Sequence, residues 1–560
     1  MHSASAAFSP ASRSGAFLTF ALLAVLATSL TSGFLMDDWF HLERAGRPLT
    51  SGALDFTLST REQGIRLWVH PAPVQVRFFR PVTSLSFWLD RRLWGERAWG
   101  FHLTNIAVHL LAVWALAALA RAVGLSRPIA CFVAVAWGLS AASVPAVQWI
   151  SGRTEILCGA ASLGATIAFL RWDRTRRWPD LAVSVLLAAA AAMSKETGVA
   201  VAPFAWCLAQ VRRVNDPRAA RRPLIGGLAA LAVPAAAAIM VRVLLLHLRA
   251  PEAPYSEPVR SVGDAAWLAL EPAWALLATL ASLPVSHLGP FAFLRTHPAL
   301  AASVLVMGAP FVVALFRSAG AGASVPLLAA FVVALAPSLP VVMTTLYFYL
   351  PATALVIWIG IASEKRARQR AWLVLWLAVG TLAHVSIAAL TTLASRQELE
   401  HLEHLEGLIA RRHYARLIVI DAPFWTYGMP AAMRARGHGA FEETRFVNFQ
   451  PSAWPRSPSS LDWSGARSLR VRLRTREGLL DSPIERFLAF GGTAQGAQGG
   501  TADDPVSVEA EAPGIHPHEL IVRFRDDEAL RRSCIVRFIG SGLDSVPPPG
   551  GQNRPQGPVP

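Results

Sequence analysis

FHLTNIAVHLLAVWALAALA, residues 101–120, decides the fold. These twenty residues contain no Asp, Glu, Lys or Arg, and an α-helix of that length crosses the ~30 Å hydrocarbon core of a bilayer. Its most polar side chains, His102, Asn105 and His109, recur at spacings of three and four, so they share one helical face near the outer end of the span. Such a stripe faces protein, as hydrogen-bonding glue between helices, or lines a wet cavity. His102, nearest the surface, is placed to reach a polar substrate.

Outward from this run, similar apolar stretches recur at Gly15–Leu35, Pro128–Val147, Ile156–Leu170, Asp180–Ser194, Gly198–Val211, Leu224–His247, Ala299–Phe316, Val325–Met343, Tyr347–Ser363 and Trp372–Ala394. Composition agrees: 53% of residues are hydrophobic and 16% charged, with 19 Trp, 27 Phe and a mean hydropathy of +0.39. A soluble enzyme carries nearer a quarter charged residues, so a water-exposed globule is excluded. The reading is an all-α polytopic membrane protein of about eleven transmembrane helices, with a small α+β or β-rich domain at its C-terminus.

A formal charge of +15 would suggest nucleic acid in a soluble chain, but here the basic residues cluster between the apolar runs and no nucleic-acid partner is implied. Arg121–Arg127, Arg171–Arg177, Arg212–Arg222 and Lys365–Arg370 all fall in the cytoplasm by the positive-inside rule. With the N-terminus inside, eleven crossings satisfy all four loops. Ala265–Leu283, interrupted by Glu271-Pro272, then begins and ends outside as a re-entrant or surface helix, because a twelfth crossing would put Lys365–Arg370 on the wrong face. Gly15–Leu35 follows Arg13 as a signal peptide would, yet no A-x-A site precedes Met36, so it reads as a retained first span. Cys131, Cys158, Cys207 and Cys534 show no metal or disulfide spacing.

The membrane domain is taken as residues 1–395. Arg396–Arg412, with Leu399, Leu402, Leu405 and Leu408 in a stripe, reads as a stalk or surface-lying helix over 396–414. Short runs at Arg416–Ile420, Leu469–Leu473, His518–Phe524 and Ile535–Ile539, separated by Pro, Gly and Ser, predict a domain outside the membrane over 415–545. The Pro/Gly-rich end, 546–560, reads as a disordered tail. His401 and His404 beside Glu400 and Glu403 are read as a charged helix face, not a metal site.

The ionisable residues at the span ends converge on the outer face. Asp37 and Asp38 follow the first span, Arg80 precedes the second, Arg153 and Glu155 join the third and fourth, and Lys195 and Glu196 join the fifth and sixth. Asp37 and Asp38 sit at an apolar boundary beside Trp39 and Phe40, where a carboxylate can be oriented as a base, or can merely end the span by favouring water. Lys195 and Lys365 are the only lysines among 52 basic residues; an ammonium binds phosphate as a compact charge, while a neighbour pair with Glu196 could simply bound a hairpin. Arg242 lies inside its span, where a guanidinium must snorkel or meet an anion. Arg80, Arg153, Lys195 and Arg242 are therefore the candidate ligands of a lipid phosphate, with Asp37 and Asp38 as catalytic acids.

The segments Asp37-Asp38, Phe79-Arg80-Pro81-Val82-Thr83-Ser84-Leu85-Ser86-Phe87, Gly100-Phe101-His102-Leu103-Thr104-Asn105 with His109, Gln148-Trp149-Ile150-Ser151-Gly152-Arg153-Thr154-Glu155 and Ser194-Lys195-Glu196 occur in an order that resembles one branch of the GT-C glycosyltransferases: the tetratricopeptide-containing transmembrane O-mannosyltransferases and their bacterial relatives. The resemblance implies a multi-span enzyme that moves a sugar from a polyprenyl-phosphate donor to an acceptor at the extracytoplasmic face; the reading taken is an inverting, metal-optional transferase of a bacterial inner membrane with a protein, glycan or lipid acceptor. The resemblance carries the catalytic role of an acid in the first external loop onto Asp37 or Asp38. His102, Asn105, Glu155, Glu196, Tyr347 and Tyr349 would support the substrate site. Tyr347-Phe348-Tyr349-Leu350-Pro351 is similar to the family's Tyr-x-Tyr-x-Pro element, although Thr345 and Leu346 replace the charged residues that often precede it. No 34-residue helical repeat follows. A divalent cation near Asp37 and Asp38 is compatible with the resemblance but demanded by no second ligand cluster. The competing readings are a transporter whose charges line a path and a non-catalytic scaffold built around the C-terminal domain.

Overall fold

A computed structural model describes residues 19–49, 56–59, 65–67, 75–78, 80–215, 224–245, 262–281, 298–339, 345–410, 414–423, 428–438, 441, 443–447, 449–450, 459–472, 498–499, 505–510, 519–539 and 542–549. Helices dominate the first four hundred residues: α1 (Thr19–Thr31), α2 (Asp37–Ala45), α3 (Pro81–Trp94), α4 (Ala98–Ala122), α5 (Arg127–Gly138), α6 (Val144–Gln148), α7 (Arg153–Thr175), α8 (Trp178–Ser194), α9 (Val201–Asn215), α10 (Ile225–Met240), α11 (Val262–Leu280), α12 (Pro298–Ala319), α13 (Ala321–Leu335), α14 (Pro351–Lys365) and α15 (Arg370–Ala410). Among the described residues six helical segments are long and apolar enough to cross a membrane: Ala98–Ala122, Ile150–Thr175, Ile225–Val243, Ala302–Ala319, Ala321–Ser338 and Ala367–Ala410. The protein is a mostly helical integral membrane protein. These six coincide with six of the eleven spans read from the sequence; the other five fall on shorter helices.

Three of the expected segments differ in form. The apolar run Pro128–Val147 is not one helix. It stops at Gly138, turns, and resumes as α6, because the Ser143 hydroxyl reaches back to the Gly138 and Ser140 carbonyls at 2.9 and 2.8 Å and takes over acceptors that a continuing helix would use. The opposite occurs at Pro272, where α11 runs through without a break. The last span and the expected stalk are likewise a single helix of 41 residues, ~60 Å long at 1.5 Å per residue. That is twice a bilayer's hydrocarbon thickness, so one end of α15 stands clear of the membrane.

That end enters the C-terminal domain. Strands β4 (Arg416–Ile420), β6 (Glu443–Phe446), β13 (Ser533–Ile539) and β14 (Gly542–Ser545) form a sheet with β2 (Ile65–Leu67) from the segment between α2 and α3, in the order β14-β13-β4-β6-β2. All pairs are parallel except β13 with β14. A second, antiparallel sheet is built from β8 (Ser460–Gly465), β9 (Ser468–Arg472), β10 (Gln498–Gly499), β11 (Val506–Ala510) and β12 (Glu519–Phe524) in the order β10-β11-β12-β9-β8. Two short pairs remain among the described residues: β1 (Phe56–Ser59) with β3 (Gln75–Phe78), antiparallel, and β5 (Ala422–Pro423) with β7 (Phe449–Gln450), parallel. Alternation along a strand sends successive side chains to opposite faces, and β4 uses both. Ile418 and Ile420 pack on Leu469, Val471, Leu520 and Val522 of the second sheet. Leu417 and Val419 pack with Leu402 and Leu405 of α15, with Phe34, Trp39 and Phe40, and with α16 (Met429–Ala435). Leu402 and Leu405 are buried there, whereas Leu399 is exposed. The domain read as separate from the membrane region therefore shares its core with α2. Beyond residue 549, the expected tail lies outside the described residues.

Candidate active site

The first turn of α2 carries the acid pair. Met36 adopts φ 53°, a left-handed conformation costly for a residue with a side chain, and this reverses the chain from Phe34-Leu35 into α2. Asp38 is buried and Asp37 half-buried. Asp38 Oδ1 accepts the Ser151 backbone N–H at 2.8 Å and the Ser151 hydroxyl at 2.5 Å, and Oδ2 accepts the Leu35 N–H at 3.0 Å. Burial pushes the Asp38 carboxyl up to about 7, against the Ser151 and Leu35 hydrogen bonds, which pull it down. The second acid thus holds the turn against the α6–α7 junction, and the first stands nearer the surface.

The long helix α15 grips the same turn. Thr31 and Ser32 bond Thr392 and Thr391 through their hydroxyls at 2.8 Å, and the Gly33 N–H donates to Ser395 Oγ at 2.8 Å. One turn further along α15, Glu398 is fully buried, in the electrostatic field of Asp38 and beside the Trp39 indole. Gly428, at the start of α16, approaches the Met36 carbonyl so closely that a Cβ there would collide with it. Sequence reasoning missed Glu398, since it lies within a run of charged residues whose periodicity suggested only a solvated face. His401, in the same run, is buried with its ring edge-on to Phe538 at 4.7 Å. Ser151 stood inside a quoted motif without a role.

A second cluster lies where α8 ends, α7 begins and α10 ends. Arg80, just before α3, donates Nε to Glu196 at 3.0 and 3.2 Å and Nη2 to the same carboxylate at 2.5 Å. Arg242 Nη2 lies 3.5 Å from Glu196 Oε1 and donates to the Ala192 carbonyl at 3.0 Å. Lys195 pairs with Glu155, and its ammonium sits 4.5 Å over the Tyr347 ring. Burial raises the Glu196 carboxyl, but the Arg80 and Arg242 charges and the Arg80 hydrogen bonds outweigh it and hold it below its usual range. Arg80, Lys195, Arg242, Glu155, Glu196 and Tyr347, proposed from sequence as phosphate ligands and site support, are brought together.

His41, on α2, is stacked on Phe87 of α3 with ring centroids 4.6 Å apart. Burial and the nearby Arg80, Arg44 and Arg153 charges push its imidazole down to about 3, so it is neutral at physiological pH.

The expectation for Arg153 needs correction. Its side chain is completely buried and paired with Asp90 at 2.6 Å. Nε donates to Asn105 at 2.6 Å, Nη2 to the Phe101 carbonyl at 2.7 Å and Nη1 to the Ser86 carbonyl at 3.4 Å, while the Phe87 ring covers one face at 4.6 Å. A guanidinium so committed is a clamp joining α3, α4 and α7 and has no face to offer a phosphate. Asn105 completes the clamp by donating to the Trp149 and Ile150 carbonyls. His109 bonds the Tyr349 hydroxyl at 2.7 Å and the Gly138 carbonyl at 3.0 Å, and the Tyr349 ring packs on Gly159. Asn105, His109 and Tyr349 therefore act as helix–helix glue. His102 is buried as well and does not reach the surface.

Both Asp38 oxygens accept hydrogen bonds, and among the described residues no group of three or more His, Cys, Asp or Glu side chains is gathered that could hold a metal ion.

No family model matches the chain. It is similar to Protein O-mannosyl-transferase Tmtc1 of Drosophila melanogaster, 30% identical over 121 residues covering 22% of this chain and 14% of that protein. It is also similar to Protein O-mannosyl-transferase F38B6.6 of Caenorhabditis elegans, 29% identical over 133 residues covering 23% and 19%. The resemblance read in the sequence is thus found again in named relatives, of whose length the matches span less than a fifth. Among solved structures, the oligosaccharyltransferase of Archaeoglobus fulgidus aligns with 79% of this chain and 64% of its own at 12% identity and a TM-score of 0.41. ArnT from Cupriavidus metallidurans aligns with 75% and 74% at 16% identity and 0.33. Likenesses of this size carry no argument about chemistry.

Proposed function

We propose that the protein is a membrane glycosyltransferase that moves a sugar from a polyprenyl-phosphate carrier to an acceptor hydroxyl at the extracytoplasmic face. One observation carries the reading: Arg80, Lys195 and Arg242 gather around two carboxylates at the same end of the helices as the half-buried Asp37. A lipid phosphate at headgroup depth requires cations there, and a base must work beside it. The names of the relatives support mannose as the sugar. The acceptor is a protein, glycan or lipid hydroxyl.

In this account the acceptor oxygen attacks C1 of the sugar from the face opposite the phosphate. The C1–O bond to the phosphate breaks, configuration inverts, and the hydroxyl proton passes to Asp37. Charge accumulates on the departing phosphate, where Arg80 and Arg242 stabilise it, with Lys195 adding positive potential from behind. Asp38, Arg153 and Asn105 act as positioning residues. The basic loops at the opposite helix ends lie in the cytoplasm by the positive-inside rule, which puts the site and the C-terminal domain outside, as in a bacterial inner membrane.

The test is incubation of the lipid-reconstituted protein with a panel of polyprenyl-phosphate sugars, monitoring free polyprenyl phosphate beside the D37N/D38N double variant. Release by the wild type alone is expected. Equal release by both proteins would remove the acids from the reaction.

A further inference from the structure

The two carboxylates of the cationic cluster differ in exposure. Glu155 is buried and holds a lysine that is itself buried. The Glu196 side chain is 35% accessible, while those of Arg80 and Arg242 are only 12% and 11% accessible. Glu196 is therefore the most accessible member of this ion-paired group. It takes both Nε and Nη2 of Arg80, the parallel fork by which a guanidinium grips a carboxylate or a phosphate alike. A phosphate approaching these arginines meets an anion already seated on them.

We propose that Glu196 is a built-in competing anion: its carboxylate occupies the phosphate position on Arg80 and Arg242, and a lipid phosphodiester enters by displacing it. This rests on the phosphate reading of the site given above. For the donor phosphodiester the exchange replaces one single negative charge by another, and the product monoester brings at least one, so neither arginine is left buried and unpaired, which would be costly. It also gives the product a way out. Once the sugar has left, the returning carboxylate competes for the same fork, and the lipid phosphate is released. The alternative, that Glu196 merely holds Arg80 in place, predicts the opposite sign on mutation.

The experiment is equilibrium binding of undecaprenyl phosphate to full-length wild-type and Glu196→Gln protein in nanodiscs at fixed salt. Removal of the competing charge is expected to tighten binding roughly tenfold, the scale of one charge-assisted contact. The R80Q/E196Q double variant should lose that gain. Binding by the wild type with equal or weaker binding by E196Q would overturn the proposal and leave Glu196 as a support for Arg80. Absence of binding by both proteins would instead remove the phosphate reading, and this inference with it. Should E196Q fail to fold, Glu196→Asp serves: its shorter acid grips Arg80 less well and should still tighten binding, and equal or weaker binding would count against the proposal in the same way.

Discussion

Asp38 Oδ1 accepts two hydrogen bonds from Ser151, one from its backbone N–H at 2.8 Å and one from its hydroxyl at 2.5 Å. The acid pair after the first helix and the junction preceding α7 are thereby one unit, and the geometry of Asp37 depends on a residue 113 positions away from its neighbour.

Because burial holds the Asp38 carboxyl up at about 7, turnover that depends on its ionised, hydrogen-bonded form should rise with pH through that region. Ser151→Ala removes a bond that favours the ionised form, so the midpoint should move to higher pH. The pH profile of polyprenyl-phosphate release measures this. An unmoved midpoint in S151A would show that Asp38 is not the group titrating.

Arg153→Lys should act on stability rather than on donor affinity. A lysine cannot reproduce a planar fork bonded to Asp90, Asn105 and the Phe101 carbonyl, and breaking a buried pair costs about 3 kcal/mol or more. The thermal midpoint of the detergent-solubilised protein should fall, while protein that remains folded binds undecaprenyl phosphate within about twofold of wild type. Selective loss of lipid-phosphate binding at unchanged stability would restore Arg153 to the phosphate site.

Glu398 offers the reverse pattern. Among the described residues neither of its buried carboxyl oxygens has a hydrogen bond of normal geometry, an arrangement that costs stability and persists where function retains it. Glu398→Leu should raise the thermal midpoint by a few degrees and lower turnover, because the Asp38–Trp39 segment loses its polar neighbour on α15. Glu398→Gln should fall between the two. Lowered stability together with full activity in E398L would contradict this.

Gly428→Ala probes the contact between α16 and the acid turn. The added methyl collides with the Met36 carbonyl, so α16 or the turn must shift. Donor turnover should drop at least tenfold, a loss of ~1.4 kcal/mol in the barrier, with membrane insertion unaffected. Wild-type turnover would mean that the C-terminal domain and the turn are not coupled.

Much of this was legible along the chain, for physical reasons. An apolar run such as Phe101–Ala120 can satisfy its backbone in a bilayer only as a helix, and polar residues in or beside spans are expensive enough to stand out, which is why Arg80, Lys195, Glu196 and Arg242 are readable as candidates and are seen to lie together. What stayed hidden depends on partners distant in sequence. Arg153 looked like a phosphate ligand because Asp90 lies 63 positions earlier, on the amphipathic α3, with nothing local to mark the pair. The break after Gly138 follows from the Ser143 hydroxyl, which hydropathy does not register. The three-residue strand β2 joins β6 across most of the chain, a pairing set by tertiary packing and not by propensity.

The central claim is that Asp37 takes the acceptor's proton, and the direct measurement is donor turnover by Asp37→Asn alone. The account predicts that D37N inserts and binds undecaprenyl phosphate like the wild type but releases no lipid phosphate from a polyprenyl-phosphate sugar in the presence of acceptor. Wild-type release by D37N would contradict it.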